Sequence, residues 1–329
     1  MKSMKARILI TGRLPDEVVL PLENRYVMEI NHEDRPMDRL ILLQSISDKE
    51  GLLPMITDCI DEEVLERAPL LKMIANFGVG YNNIDIKAAS RRGIMVSNTP
   101  GVLTDATAEI AFALILSVSR RLVEGDRMTR DGRFKFWAPM FFLGHEVTEK
   151  TLGIIGMGKI GKAVAQRARG FNMRVLYFNR RRIDPMEEKE LTTEYADLDS
   201  LLTISDFVSL HVPLNEDTKH MIGMKELSLM KSTAYLINTS RGPVVDEKAL
   251  VTALNDGKIG GAGLDVYENE PALTPGLTEL DNVVLLPHIG SGTIETRARM
   301  ASMAVENLVA GLDGAAPPNI VNPEVLKLR

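Results

Sequence analysis

Three side chains in the last third of the chain are of types that move protons and hold carboxylates: Arg241, Glu270 and His288. Arg241 follows the apolar run AYLINTS (234–240), and His288 follows VVLLP (283–287). An imidazole at a strand end, before a turn of small residues, is well placed for acid–base work. Glu270 can hydrogen-bond that ring and keep it protonated, and an arginine fork suits a 2-keto acid. Spacing alone leaves an ordinary surface ion pair open for Arg241 and Glu270.

A glycine motif in mid-chain predicts where a cofactor would bind. The candidate strand TLGIIG (151–156) runs into the turn Gly156-Met157-Gly158-Lys159-Ile160-Gly161, which a helical pattern follows. The first glycine permits a tight turn, the second lets the backbone approach a pyrophosphate, and the third lets the helix pack on the strand. The helix N-terminus then presents free N–H groups to the phosphates. This context predicts dinucleotide binding, with a glycine-rich turn in a nucleotide-free domain as the alternative.

The segment LYFNRRR (176–182) predicts which dinucleotide is preferred. An acidic residue at the end of this second strand would bind the ribose hydroxyls of NAD, but the chain has the neutral Asn179. Arg180, Arg181 and a further candidate, Arg182, can give charge-assisted hydrogen bonds to a phosphate. We therefore predict that NADP(H) is preferred and that NAD(H) is possible. A solvated basic turn is the alternative.

Size and composition restrict the class of protein. A chain of 329 residues with a net charge of −6 suits about two domains and has no global basic field for nucleic acid or an anionic membrane. Cys59 is the only cysteine, so we expect no intrachain disulfide and no thiolate metal cluster. The apolar stretch 108–119 is too short to span a bilayer, and the N-terminus reads as a strand. A cytoplasmic protein is the simplest expectation.

Short apolar runs alternate with helical patterns along most of the chain, which predicts doubly wound parallel sheets. The pattern occurs twice, once before residue 100 and again from about 150, and SNTPG (97–101) interrupts the chain between them. One long helix is predicted from about Thr104 to Arg130. The candidate strands are 6–11, 52–56, 71–77, 151–156, 174–178, 207–211, 234–240, 261–266 and 283–287.

At this point the sequence resembles a known family over nearly its whole length, the D-isomer-specific 2-hydroxyacid dehydrogenases, and within it the glyoxylate/hydroxypyruvate reductases. Any one matching segment is moderately specific, whereas all of them in this order are very specific. The segments are FGVGYNNIDI (77–86), SNTPGVLTDATAEIAFALIL (97–116), TLGIIGMGKIG (151–161), LINTSRGPVVDEKAL (236–250), GAGLDVYENEP (261–271) and LLPHIGSGTIETR (285–297).

The resemblance implies an α/β fold of two doubly wound parallel-sheet domains with a cleft between them. A flavodoxin-like substrate domain would comprise residues 1–100 plus 288–329. A Rossmann nucleotide-binding domain, residues 101–287, would be inserted into it. The insertion explains why the glycine motif occurs only in mid-chain.

The resemblance also assigns roles to residues of this chain. The family's catalytic arginine, glutamate and histidine correspond to Arg241, Glu270 and His288. Val79 and Gly80 would bind the substrate through their backbone N–H groups, and Arg241 and His288 through their side chains. Leu53 and Met55 would form the pocket wall beside the substrate's 2-substituent. Besides the glycine turn, Asn179, Arg180 and Arg181, cofactor contacts would come from Thr104, Val212, Pro213, Thr239, Ser240, Arg241, Asp265, His288, Ile289 and Gly290.

The predicted activity is NAD(P)H-dependent reduction of glyoxylate and hydroxypyruvate to glycolate and D-glycerate, with His288 as proton donor. The Trp137-x-Pro139 element resembles a segment that packs at a dimer interface in glyoxylate reductases, so we expect a homodimer. Neither nucleic acid nor membrane is expected as a partner. Alternatives are a phosphoglycerate-type or phosphite dehydrogenase, and a nucleotide-sensing corepressor-like binding protein.

Overall fold

The computed structural model describes residues 5–327, which divide into two compact units. The described residues within Met1–Leu103 and Thr293–Arg329 form unit 1, and Thr104–Gly292 form unit 2. Each unit holds one parallel sheet with helices, which confirms the predicted α/β class. The limits of the two units lie within about five residues of the domain boundaries expected after residues 100 and 287. The substrate and nucleotide roles of the two units stay predictions.

Unit 1 contains a five-stranded parallel sheet in the order β2-β1-β3-β4-β5, which is the flavodoxin-like order. Side chains of α2, α3 and α4 cover one face of this sheet in a single apolar cluster, and α12 packs on β3 and β4. The strands are β1 (Arg7–Ile10), β2 (Val27–Ile30), β3 (Gly51–Leu53), β4 (Met73–Ala75) and β5 (Met95–Ser97). The helices are α1 (Asp16–Val19), α2 (Arg39–Ser45), α3 (Glu62–Glu66), α4 (Ile86–Arg91) and α12 (Ile294–Leu312).

Unit 2 contains a seven-stranded parallel sheet in the order β12-β11-β10-β9-β6-β7-β8, which is the Rossmann order with one added edge strand. The strands are β6 (Thr151–Ile155), β7 (Arg174–Phe178), β8 (Thr193–Tyr195), β9 (Phe207–Leu210), β10 (Tyr235–Asn238), β11 (Gly261–Leu264) and β12 (Val283–Leu285). Residues of β9, β10 and β11 are buried throughout, as expected for strands with both faces covered.

Two apolar clusters pack against the sheet of unit 2, one containing residues of α5 and α7 and the other residues of α9, α10 and α11. The helices are α5 (Thr104–Ser119), α6 (Leu122–Arg130), α7 (Lys159–Ala168), α8 (Pro185–Leu191), α9 (Leu198–Ile204), α10 (Met224–Leu229) and α11 (Glu247–Asn255). This arrangement leaves the carboxyl ends of the strands free to carry functional loops.

The single long helix predicted over 104–130 is wrong, because the chain breaks between α5 and α6. Arg121 adopts a left-handed conformation with φ 55°. Its guanidinium is paired with Glu124 at 2.8 Å and donates to the carbonyl of Leu143 at 3.2 Å. A left-handed residue cannot continue a right-handed helix, so α6 leaves in a new direction.

Neither a membrane-spanning helix nor a metal-binding cluster of side chains occurs within residues 5–327. Over residues 5–327, no helix is both long and apolar enough to cross a membrane. Within the same range, no cluster of three His, Cys, Asp or Glu side chains is placed to hold a metal ion.

Candidate active site

The three glycines of the motif occupy positions where a side chain would not fit or would fill open space. Gly156 has φ 102°, and a Cβ there would lie 2.6 Å from the backbone carbon of His211. A Cβ on Gly161 would lie 2.2 Å from the carbonyl oxygen of Gly156, so the helix packs directly on the turn. A Cβ on Gly158 would meet nothing within 4 Å. The turn therefore has the tight bend, the close packing and the open cradle that a pyrophosphate needs.

Polar groups around this turn are left available to a ligand. Helix α7 begins at Lys159 without a side-chain cap, so its first N–H groups face outward. Buried polar atoms also lie just beyond β9 and β10: His211 Nδ1 and Thr239 Oγ1 have no hydrogen-bond partner among residues 5–327. Burial lowers the pKa of His211 to about 3, so its ring is neutral. These residues fit a bound dinucleotide.

The residues predicted to select between NADP and NAD differ in their contacts in the structure. The Asn179 side-chain oxygen accepts a hydrogen bond of 2.8 Å from the N–H of Met157, which ties the end of β7 to the glycine turn. Arg180 is exposed, with Asp217 at 3.4 Å. Arg181 is exposed and has no hydrogen-bond or ion-pair partner in the part of the chain that the structure describes. These two guanidiniums are therefore available to an anion.

Arg182 is committed to a structural network instead. Its guanidinium makes two hydrogen bonds of 2.6 Å to the carboxylate of Glu188, which also accepts from the hydroxyl of the fully buried Tyr177. Hydrogen bonds from Arg182 and Tyr177 lower the pKa of Glu188 to about 2. The Tyr177 hydroxyl in turn accepts from the N–H of Ile183 at 3.1 Å. The network thus fixes the shape of the turn that presents Arg180 and Arg181.

His288, which follows β12, and Glu270, in the segment after β11, form a hydrogen-bonded pair. Nδ1 of His288 lies 2.8 Å from Oε2 of Glu270, and Oε1 of Glu270 accepts from the N–H of Tyr267 at 2.9 Å. Burial opposes ionisation of Glu270, but the hydrogen bond and charge of His288, the Tyr267 N–H and the charge of Arg241 together lower its pKa. The carboxylate is therefore charged at neutral pH and orients the imidazole.

Asp265 holds the backbone that carries His288. Its two carboxylate oxygens accept hydrogen bonds of 2.7 Å from the N–H groups of Ile289 and Gly290. Asp265 is almost fully buried, which raises its pKa. His288 itself has φ 55°, a left-handed conformation that costs a non-glycine residue energy. The clamp from Asp265 therefore supports the strained residue.

Arg241 follows β10 and lies in unit 2, as do His288 and Glu270. Its carbonyl accepts from Asn238 Nδ2 at 3.0 Å, and its Nη1 donates to the carbonyl of Ser240 at 2.7 Å. Burial lowers its pKa, while the charge of Glu270 raises it. A Cβ on the next residue, Gly242, would lie 1.8 Å from the backbone of Tyr267, so only glycine lets this loop approach the one that carries Glu270.

The remaining predicted cofactor contacts lie around the same strand ends. Thr104 is the first residue of α5, and Val212 and Pro213 follow β9 after His211. The Ser240 hydroxyl donates to the Asn238 side chain at 2.8 Å. Thr239 is buried beside it. Contact of these residues with a cofactor stays a prediction.

In unit 1, the loop after β4 presents backbone donors. The carbonyls of Gly78, Val79 and Gly80 accept from Thr99 N–H, Asn98 Nδ2 and Asn76 Nδ2 at 3.0, 2.7 and 2.9 Å. The N–H groups of Val79 and Gly80 have no partner within residues 5–327. With its carbonyls turned inward, such a loop offers its N–H groups to an anion.

The two predicted pocket-wall residues differ in exposure. Leu53 ends β3 and is fully buried, whereas Met55 is partly exposed. The Met55 side chain lies against Gly12, where a Cβ would be 2.7 Å from its Cγ. Their contact with a substrate stays a prediction.

Several residues that shape the site were missed from the sequence: Tyr177, Glu188, Asn76, Asn83 and Gly242. Gly242 could have been identified from the sequence, because it lies directly after Arg241 in a turn. The others are polar residues in or beside apolar runs, a pattern that does not reveal their partners.

Comparison with known proteins places the chain in a class. Residues 112–290 match the family model described as D-isomer specific 2-hydroxyacid dehydrogenase, NAD binding domain. The chain belongs to this family, as its motifs predicted. Two relatives, from Korarchaeum cryptofilum and Thermococcus litoralis, are both named glyoxylate reductase. Each is 51% identical to this chain, over 99% and 98% of it respectively and over 98% of its own length.

Solved structures of similar proteins agree with the predicted fold. A glyoxylate reductase from Paecilomyes thermophila superposes with a TM-score of 0.87 at 35% identity, covering 98% of this chain and 100% of its own. An NADPH-dependent glyoxylate/hydroxypyruvate reductase from Sinorhizobium meliloti, in complex with NADP and malonate, gives 0.85 at 32% identity over 96% and 97%.

Proposed function

We propose that the protein reduces glyoxylate and hydroxypyruvate to glycolate and D-glycerate, with NADP(H) as the preferred cofactor. The observation that carries the proposal is the hydrogen-bonded pair of His288 and Glu270. These two residues follow β12 and β11, strands of the same sheet as β6, which leads into the glycine turn. A histidine held by a carboxylate beside a dinucleotide-binding turn suits proton transfer to a carbonyl under reduction. The names of the relatives in Korarchaeum and Thermococcus support this substrate class.

The roles of the side chains follow from their partners. A bound nicotinamide supplies the hydride in this chemistry. Nδ1 of His288 faces Glu270, so Nε2 is the ring nitrogen left to give a proton to the carbonyl oxygen. Glu270 holds the imidazole in a fixed orientation through this hydrogen bond. Arg241 binds the carboxylate of the 2-keto acid through its fork.

In unit 1, we assign the free N–H groups of Val79 and Gly80 to the substrate carboxylate. Leu53 and Met55 would limit the size of the 2-substituent. Unit 1 would thus be the substrate domain and unit 2 the nucleotide domain.

The NADP(H) preference rests on Arg180 and Arg181. Both are exposed, and they follow an asparagine that brings no negative charge to the end of β7. Guanidiniums suit the 2′-phosphate of NADP through charge-assisted hydrogen bonds.

A homodimer is part of the proposal. The segment around Trp137 exposes large apolar side chains, with Trp137 77% and Met140 80% exposed. Exposed apolar patches of this kind mark protein–protein contacts. Sedimentation should give a dimer for the native chain and a shift toward monomer for Trp137→Ala; a native monomer would contradict the assignment.

Initial rates of NADPH and NADH oxidation with saturating glyoxylate, measured side by side, test the activity. Rapid turnover with a clear preference for NADPH is expected. Faster turnover with NADH would leave the reductase but remove the role of Arg180 and Arg181. An absence of turnover, together with reduction of NADP⁺ by phosphite, would identify a phosphite dehydrogenase.

A further inference from the structure

Beside the loop that presents Val79 and Gly80 lies a pair of hydrogen-bonded asparagine side chains, Asn76 and Asn83. Asn76 is fully buried at the end of β4, and its Nδ2 donates to the carbonyl of Gly80 at 2.9 Å. Its Oδ1 accepts from Nδ2 of Asn83 at 3.2 Å. An amide so enclosed is ordinarily fully hydrogen-bonded, and loss of one partner is costly.

Asn83 connects this loop to a second one. Its Nδ2 also lies 3.2 Å from the carbonyl oxygens of Met55 and Asp58. The loop 54–58 follows β3 and carries Met55, the proposed wall of the substrate pocket. One asparagine therefore contacts both the loop with the free N–H groups and the loop that would limit substrate size.

Asp58 stabilises the loop 54–58 through hydrogen bonds from a buried position. Its buried carboxylate accepts from the N–H of Met55 at 2.7 Å and from the hydroxyl of Thr11. The two loops also touch directly, because a Cβ on Gly78 would lie 2.5 Å from the side chain of Ile56. Movement of one loop would therefore disturb the other.

We propose that Asn76 and Asn83 are positioning residues that hold these two loops as one body, so that carboxylate affinity and substrate size selection are set together. The inference rests on the proposed function. Neither side chain is assigned a contact with substrate; both act through the backbone of Gly80, Met55 and Asp58. Their removal should weaken binding of the 2-keto acid and leave the cofactor unaffected.

The test is steady-state kinetics of Asn83→Leu, which keeps the branched outline of the side chain and removes the amide. We expect the KM for glyoxylate to rise about tenfold, the fold-change of one hydrogen bond of ordinary strength. The KM for NADPH should stay within about twofold, since no cofactor-binding group is altered. The ratio of kcat/KM for glyoxylate to that for hydroxypyruvate should also change, because the loop with Met55 loosens.

Two controls separate positioning from general damage. Leu42→Ala opens the core of unit 1 without touching either loop and should lower the Tm with the glyoxylate KM unchanged. The double variant Asn76→Leu/Asn83→Leu should be little worse than the more affected single variant, because both residues act through one network. Asn83→Ser makes the same test if the leucine variant does not fold.

The outcomes distinguish this inference from the proposed function. A native enzyme without 2-keto acid reductase activity would remove the proposed function itself. An active native enzyme with an unchanged glyoxylate KM in Asn83→Leu would overturn only the positioning role. Equal rises in the KM for glyoxylate and NADPH would do the same, because they would indicate general damage.

Discussion

The carboxyl edges of the two parallel sheets carry different chemistry. Beyond β4 in unit 1, the predicted functional groups are backbone N–H groups held by neutral amides. Beyond β10 and β12 in unit 2, they are titratable or charged side chains: Arg241 and the pair of His288 with Glu270. The comparison teaches that an anion site can be made from backbone alone, whereas proton transfer needs side chains whose protonation is controlled.

The two edges also differ in how they are held. The loop of unit 1 is supported by amide side chains that do not titrate. In unit 2, His288 takes a left-handed backbone conformation, and the turn after it depends on a carboxylate with a raised pKa, Asp265. His288 thus combines a strained backbone conformation with a proposed role in the reaction, as is common in active sites.

The largest effect is expected from removal of the proton donor. His288→Ala should lower kcat for glyoxylate by about 10²–10⁴-fold, the usual contribution of general acid catalysis. The chain supplies a matched control, since His220 is also paired with a glutamate, Glu268, at 2.6 Å. His220→Ala should leave kcat within about twofold. Comparable losses in both variants would end the assignment of His288.

The next largest effect distinguishes Arg180 and Arg181, which are proposed to bind the 2′-phosphate, from Arg182, which is bound to Glu188. Arg180→Ala/Arg181→Ala should raise the KM for NADPH about 10- to 100-fold, the range for hydrogen bonds to a charged group, with the KM for NADH little changed. Arg182→Ala should act mainly on thermal stability, because its guanidinium is bound to Glu188. A larger rise in NADPH KM for Arg182→Ala than for the double variant would assign the phosphate to Arg182 instead.

The smallest effect concerns the pH dependence of stability. The pKa of Glu188 is lowered to about 2 in the folded protein, so its contribution to stability is complete above its ordinary pKa and is lost as the pH falls toward 2. Glu188→Gln should therefore lower the Tm at pH 7, and the difference from the native protein should shrink as the pH falls. Thermal melts at pH 7, 5, 4 and 3 test this; a difference that grows on acidification would contradict it.

Much of the fold was predictable because apolar runs bounded by turn residues identify buried strands well. Three strands were missed: β2, β5 and β8. Strand β2 is at the edge of its sheet and has no fully buried residue, and β8 is three residues long with two of them exposed. Short or edge strands have too few apolar residues to stand out from loops. The break at Arg121 was missed because no glycine or proline marks it.

The position of Gly156, Arg241 and His288 just after strands was predictable from the motifs that contain them, whereas their roles in binding and catalysis stay predictions. The partners that orient these residues were harder to predict. The role of Arg182 is set by Glu188, and that of Asn83 by three acceptors on two other segments. Such pairings depend on tertiary contacts that spacing in one sequence does not encode.

We propose that proton transfer depends on His288 in unit 2, whereas unit 1 contributes backbone N–H groups that bind the substrate carboxylate together with Arg241 of unit 2. The most direct measurement is kcat and KM for glyoxylate, determined in one assay series for the native enzyme, His288→Ala and Asn83→Leu. The account predicts that His288→Ala loses kcat far more than it changes KM, and that Asn83→Leu raises KM with kcat largely kept. Loss of the same kinetic constant in both variants would contradict the separate roles of His288 in proton transfer and of the unit 1 loops in substrate binding.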